Sequence, residues 1–324
     1  MTVVVTGAAG FIGFHVATAL LAKGEQVVGI DIVNDYYDVG LKEARLALLA
    51  GHKDFTFHRA DIADAAVVSA ILASAGPVRG VIHLAAQAGV RYSLKNPYAY
   101  VHSNLLGQVV MFEAVKALDP MPALVYASSS SVYGANTKFP FAVADRVDHP
   151  VSLYAATKRG GELLAESYAA AHRMPSVGLR FFTVYGPWGR PDMAYFSFTK
   201  AILAGQAIPV FNEGKLERDF TYIDDIVAGV LAAVDLKPDP ANPHRIYNLG
   251  NNKPEPLMRF IKTIETALNA KAMLDFQPMQ PGDVKATAAD IADSTRDLGF
   301  IPKIGIDEGI PRFVRWYKDY YGAA

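Results

Sequence analysis

The stretch "TVVVTGAAGFIGFHVATALLAKGEQVVGID", residues 2–31, decides the fold. A short apolar run leads into "GAAGFIG", then into an apolar segment of helical length, then into a second run, "QVVGID". Runs that are apolar at nearly every position, rather than at alternate ones, suit strands covered on both faces, as in a parallel sheet. Gly7, Gly10 and Gly13 have a G-x-x-G-x-x-G spacing between the expected strand and helix. Glycine there permits a tight turn, lets the backbone approach a pyrophosphate and lets the helix pack closely on the strand, while the helix N-terminus favours negative charge. Three glycines alone are a weak signal, and their place after a first strand and before an apolar helix supplies the context that gives them meaning. Asp31 closes the second strand, 18 residues after Gly13. A carboxylate there accepts hydrogen bonds from both adenosine ribose hydroxyls and repels a 2′-phosphate, so the expected cofactor is NAD rather than NADP.

The pattern repeats outward from this unit. "VGLKEARLALLAG", "FTFHRA", "AAVVSAILASAG" and "GVIHLAA" alternate helix-like and strand-like segments, followed by a helix over about 97–117, the strand "ALVYA", a long helix over about 153–173 and the strand "SVGLRF". Such alternation predicts right-handed βαβ units and an α/β fold with a doubly wound parallel sheet of the Rossmann type. After Phe182 proline and glycine become frequent and the regularity fades. The expected organisation is a cofactor domain over residues 1–180, rejoined by about 219–250, and a smaller C-terminal α/β substrate domain from 181–218 and 251–324. The return to the sheet is expected through "DFTYIDDIVAGVLAAVD" and "RIYNLG". Ligands of open α/β sheets bind beyond the carboxyl ends of the strands, so the smaller domain should close over that edge. Asp61, in "FHRADI" after the third strand, is a candidate adenine contact, with helix capping as its alternative.

Composition narrows the possible functions. A chain of 324 residues that is 51% hydrophobic buries a sizeable core. Its 31 basic and 32 acidic residues leave a formal charge of −1, and no Lys/Arg-rich block marks a nucleic-acid footprint. The absence of cysteine removes disulfides, thiolate metal sites and thiol catalysis, and no metal-ligand spacing is present. The opening residues form a strand and turn without a basic leader, and no stretch approaches the roughly 20 apolar residues of a membrane span. A cytoplasmic location is the expectation.

Tyr154 and Lys158 in "SLYAATKRGGE" stand four apart, a spacing that places both on one helix face. A lysine charge near a phenol favours phenolate, and a tyrosine so tuned takes a proton from an alcohol as hydride leaves for nicotinamide. One loop upstream, "YASSSSVYG" ends a strand on four serines, Ser128 to Ser131. In this order, "TGAAGFIG", "HLAA", "YASSSSVYG", "YAATK" and "FTYIDDIV" resemble the extended short-chain dehydrogenase/reductase family over essentially the whole chain. The resemblance implies a catalytic set of Ser129, four positions before the tyrosine of "VYG", with Tyr154 and Lys158. It also implies cofactor contacts at Gly7, Gly10, Phe11, Ile12, Gly13, Asp31, Asp61, Ile62, Leu84, Ala85 and Ala86, besides Tyr154 and Lys158.

Members of that family that dehydrate or decarboxylate a nucleotide sugar carry acidic residues beside the catalytic hydroxyl, where this chain has Ser130 and Ser131. Together with "DIVNDYYDVGLKEARL", "AAQAGVRYSLKNP" and "FFTVYGPWGRPDMA", this looks like the UDP-glucuronate 4-epimerases. Oxidation at C4 of glucuronate makes a β-keto acid prone to lose carbon dioxide. Hydroxyls of Ser129, Ser130 and Ser131, with Thr183 opposite, would hold the carboxylate out of the alignment that favours that loss. The resemblance further implies substrate contacts at Arg91, Arg190, Arg218 and Asp283, with "IPVF" flanking the uracil through Val210 and Phe211. Many relatives have arginine before "PGD", whereas this chain has Gln280. A UDP-glucose/galactose 4-epimerase, and a non-catalytic NAD-binding sensor, remain as alternatives. The helices near 97–117 and 153–173 are candidates for a homodimer interface, as in relatives.

Overall fold

The computed structural model describes residues 1–237, 239–279 and 284–323. The first half alternates as the sequence pattern predicts: β1 (Thr2–Thr6), α1 (Phe11–Ala22), β2 (Gln26–Asp31), α2 (Val39–Ala50), β3 (Phe55–Arg59), α3 (Ala65–Ser74) and β4 (Val78–His83). Short helices α4 (Tyr92–Lys95) and α5 (Pro97–Tyr100) follow, then a π-helical segment (Val101–Leu106) that runs into α6 (Gly107–Lys116). Next come β5 (Ala123–Ser129), a 3₁₀ turn (Ser130–Tyr133), α7 (Leu153–His172), β6 (Ser176–Phe181) and β7 (Thr183–Tyr185). The remainder comprises α8 (Ala194–Leu203), β8 (Ala207–Phe211), β9 (Glu217–Tyr222), α9 (Ile223–Asp235), β10 (His244–Leu249), β11 (Pro254–Pro256), α10 (Leu257–Leu268), β12 (Met273–Gln277), α11 (Ala292–Leu298) and α12 (Ile306–Tyr321).

Seven strands form a parallel sheet in the order β10-β6-β5-β4-β1-β2-β3. Every residue of β1 and β6 is buried, which is why β1 reads as a run, Val3 to Val5, with no polar alternation, while β6 carries Ser176 and Arg180 within its buried length. Strand order reverses between β1 and β4, and the crevice beyond their carboxyl ends is where such sheets bind ligands. Helix starts follow local chemistry: Asp38, Asp64 and Ser152 accept backbone N–H bonds at the beginnings of α2, α3 and α7. Helix α1 has no such side-chain cap and no acidic residue in its first turn.

The later part of the chain departs from expectation in one respect. Helix α9 and strand β10 do return to the large sheet, with β10 pairing beside β6. The "DFTY" strand does not: β9 joins a separate three-stranded sheet ordered β11-β9-β7. Strand β7 begins two residues after β6 ends, so the chain leaves the large sheet at Phe182 and seeds the small one at once. A further two-stranded sheet pairs β8 with β12. One continuous apolar core nonetheless links β1 and α1 to α9, α10 and α12.

Candidate active site

The glycine turn sits at the strand-order reversal. Gly7 adopts φ 72°, and a Cβ there would lie 2.9 Å from the backbone nitrogen of Ala85, so a side chain is excluded twice over. A Cβ on Gly13 would lie 2.0 Å from the Gly7 carbonyl oxygen, which explains how α1 comes so close to the turn. With no capping side chain, the first N–H groups of α1 are left for an anion. Asp31 closes the next edge: its carboxylate accepts the Ala9 N–H at 3.0 Å and the Val33 N–H at 2.8 Å. Burial raises its pKa, against those two bonds and the charges of Lys42 and Arg45. A side-chain-free turn, an uncapped helix start and a carboxylate at the end of β2 together fit the pyrophosphate and ribose of NAD.

These groups open on a cavity of about 680 Å³. Its wall contains Gly7, Gly10, Phe11, Ile12, Gly13, Asp31, Asp61, Ile62, Leu84, Ala85 and Ala86 at one end, and Ser129, Tyr154, Lys158 and Arg190 at the other. Asp61 accepts the Ala63 N–H at 2.9 Å and pairs with His102 Nε2 at 2.8 Å. The cap of α3 is Asp64 instead.

The end of the cavity that holds Ser129, Tyr154 and Lys158 is assembled from β5, the 3₁₀ turn and α7. Ser129, the last residue of β5, lines the cavity: its Oγ accepts the Ser131 N–H at 3.1 Å and donates to Ser131 Oγ at 3.2 Å. Ser128, pointing to the opposite face of the strand, donates to Glu162 at 2.7 Å. Glu162 forms a buried two-pronged ion pair with Arg180 at 2.8 and 2.9 Å, and Arg180 donates to the Tyr133 hydroxyl at 3.0 Å. The serine turn is thus tethered at both ends, at Ser128 and at Tyr133. The π-helical segment adds a third support: buried Asn104 donates to the Gln87 carbonyl and to Thr157 Oγ1, each at 3.0 Å, tying α7 to the loop after β4 between Tyr154 and Lys158.

The electrostatics differ from the expected tyrosine–lysine coupling. Burial raises the Tyr154 pKa, and the influences that lower it are a hydrogen bond with Ser129 and the charge of Arg190. Lys158 instead donates to the Ala127 carbonyl at 2.9 Å, and burial brings its own pKa down to about 8. The ammonium is held by the strand end rather than by the phenol.

The remaining expected residues are spread more widely. Among the described residues, Arg91, Ser130, Ser131, Thr183, Phe211 and Arg218 lie outside the wall of the cavity. Ser130, Ser131 and Thr183 are half-buried, and the Arg91 guanidinium stacks 5.2 Å from the centre of the Phe211 ring. Val210 is fully buried in the core on β8, so its side chain is unavailable to a base. Arg218 Nη1 donates to the carbonyls of Glu217 and Lys285. Asp283 and Gln280 lie outside the described residues. Sequence reasoning missed Tyr36, whose hydroxyl donates to Asp192 at 3.2 Å, and Asp192 itself, which pairs with Arg190 at 2.6 Å. It also missed Glu162 and Arg180. The only signal for Tyr36 was its place in the "NDYYD" segment, with no spacing to assign it a task.

A sequence model of the NAD dependent epimerase/dehydratase family matches residues 3–250. The chain belongs to that family. It is 49% identical over 333 aligned positions to UDP-glucuronate 4-epimerase 3 of Arabidopsis thaliana, covering 99% of this chain and 77% of that protein. The fold of this epimerase/dehydratase chain matches the crystal structure of a Bacillus cereus UDP-glucuronic acid 4-epimerase in complex with UDP-glucuronic acid and NAD, with a TM-score of 0.91 and 34% identity over 99% and 100% of the two chains. A Thermotoga maritima UDP-glucose 4-epimerase, in a complex with UDP-glucose, matches with a TM-score of 0.89 and 27% identity over 99% and 100% of the two chains.

Proposed function

We propose that the chain catalyses the NAD-dependent 4-epimerisation of UDP-glucuronate to UDP-galacturonate through a 4-keto intermediate. The observation that carries this reading is the 49% identity, along 99% of the chain, to a UDP-glucuronate 4-epimerase, joined to a serine–tyrosine–lysine set in the cavity. When bound, NAD supplies the hydride acceptor and donor for C4. Tyr154 takes the C4 hydroxyl proton in the oxidation and gives it back in the reduction. Its proton loss is assisted by the Ser129 hydrogen bond and the positive Arg190. Ser129 orients the sugar hydroxyl, and Lys158, fixed to the Ala127 carbonyl, keeps a positive charge one helical turn from Tyr154. Gly7, Gly10, Phe11, Ile12 and Gly13 hold the pyrophosphate of the cofactor, Asp31 its ribose, Asp61 and Ile62 its adenine side, and Leu84, Ala85 and Ala86 its inner face.

On the sugar-nucleotide side, Arg190, Arg218 and Asp283 serve the diphosphate and uridine, and Phe211, stacked with Arg91, flanks the base. Ser130, Ser131 and Thr183 serve the C6 carboxylate. Residues 1–180, rejoined by α9 and β10, act as the cofactor domain, and the remainder, β9 included, as the substrate domain. A second copy of the chain covers the apolar groove between α6 and α7, where Leu106 and Leu163 are 47% and 53% exposed. The reaction takes place in the cytoplasm, on precursors of polysaccharides; no described helix is long and apolar enough to cross a membrane.

Proton NMR of the anomeric signals during incubation with UDP-glucuronate, and separately with UDP-glucose, tests the assignment. UDP-galacturonate without UDP-pentose is the expected product. Conversion of UDP-glucose alone would transfer the chain to the neutral-sugar epimerases, a reading favoured by the Thermotoga similarity, and conversion of neither would overturn both.

A further inference from the structure

Arg45 lies on α2 and is fully buried, although nothing in the proposed reaction uses it. Its four hydrogen bonds all go to neutral oxygens. Nη1 donates to the carbonyl of Ala9, inside the glycine turn, and to the Tyr37 hydroxyl, each at 2.8 Å. Nη2 donates to the carbonyls of Trp188 at 2.6 Å and Gly189 at 3.1 Å. Nε is buried and has no partner among the described residues. A buried guanidinium with one donor unmatched is costly, and an apolar side chain would fill the space more cheaply. What only a planar fork supplies is two pairs of donors at a fixed angle, here reaching two segments far apart in the sequence.

The second of those segments is strained. Trp188 is a bulky residue at φ 59°, a left-handed conformation that persists only when the surroundings enforce it. Gly189 leaves no room for a side chain, since a Cβ would lie 2.0 Å from the Tyr195 hydroxyl. From α1, His15 Nε2 bonds to the Pro187 carbonyl at 2.9 Å. One residue after this clamped turn comes Arg190, in the cavity wall and held in place by Asp192.

We propose that Arg45 is a positioning residue that holds the Trp188–Gly189 turn in its left-handed form, so that Arg190 is presented to the diphosphate of the sugar nucleotide. The same fork anchors that turn to the glycine turn beneath the cofactor, so the two ligand-binding segments share one rigid strut. The proposal rests on the reading that Arg190 meets the UDP moiety, and its test separates the two.

The test is a double-mutant cycle on the NAD-loaded protein, with calorimetric binding of UDP and turnover of UDP-glucuronate measured for wild type, Arg45→Met, Arg190→Ala and the double variant. Arg45→Met should weaken UDP binding about ten-fold while changing kcat less, and it should have no further effect once Arg190 is alanine. Arg45→Lys, which keeps the charge but loses the fork, should fall between wild type and Arg45→Met; it also carries the cycle if Arg45→Met gives no soluble holoenzyme. Equal losses from the Arg45 substitution in both backgrounds would overturn the proposal and leave the role of Arg190 standing. Unchanged UDP binding by Arg190→Ala would overturn the reading of Arg190, and the proposal with it.

Discussion

The two ends of the cavity are built in different ways. The cofactor end is made largely of backbone: a glycine turn, an uncapped helix start and the ends of β1, β2 and β4, all from the first 90 residues. The sugar end is made of side chains brought from separate places: Tyr36 after β2, Ser129 at the end of β5, Tyr154 on α7, Arg190 after β7 and Asp192 beside it. Backbone walls leave little that can be removed without disturbing the fold. Side-chain walls can lose a functional atom and keep their shape. Substitutions at the first end should therefore cost stability and cofactor together, and those at the second should cost turnover or binding alone.

The strongest challenge to that contrast is Tyr154→Phe. Removing one oxygen should lower kcat by about 10³-fold through loss of acid–base catalysis, with the thermal midpoint near that of wild type. A large fall in thermal midpoint would show that the sugar end is structural too. Gly13→Ala tests the opposite end. A Cβ placed 2.0 Å from the Gly7 carbonyl forces helix and turn apart, and the expected cost is about 3 kcal/mol of unfolding free energy, with loss of retained NAD. Retention of both by that variant would break the comparison.

A third test uses acid. Burial lowers the pKa of His83, at the end of β4, to about 3 and that of His15, on α1, to about 4, well below the usual imidazole value of about 6.5. Because the folded values lie below the unfolded one, the unfolded chain takes up protons first as pH falls. The stability contributed by the neutral rings is complete above pH 6.5 and is lost progressively below it. His83→Gln should therefore flatten the fall in urea-unfolding free energy between pH 6.5 and 5 by about 2 kcal/mol. An unaltered slope would mean that His83 is not held neutral. The smallest effect is expected from Tyr36→Phe, which removes one hydrogen bond to Asp192: a rise in KM of about two- to five-fold with kcat preserved.

The same contrast explains what could be read in advance. The parallel sheet, its crossover helices and the cofactor turn were legible because backbone constraints leave local marks: glycines where φ or close approach requires them, apolar runs where both faces are covered. Asp31 was legible because its distance from Gly13 is fixed by the length of one βα unit. The "DFTY" strand does not join the large sheet as its pattern suggests, since a strand's own residues carry no record of its partner, and β9 lies between β7 and β11. Tyr36, Asp192, Glu162 and Arg180 work through contacts across long sequence separations, and nothing near them in the chain announces the partner. The four serines show both cases within one motif. The hydroxyl run was visible, but its division into Ser128 turned toward Glu162 and Ser129 turned toward the cavity depends on strand alternation and a distant ion pair.

The aromatic cluster behind Arg190 has an optical consequence. The chain has two tryptophans, Trp188 and Trp316, and their rings lie 5.2 Å apart, with Tyr320 5.0 Å from the first. Trp188 is two residues from Arg190 and packs on Phe14 of α1. All of the protein's indole emission therefore originates at the joint between the cofactor helix, the strained turn and the C-terminal helix. Intrinsic fluorescence reports on that joint without a label, and any ligand that shifts the turn announces itself in the emission of the unmodified protein.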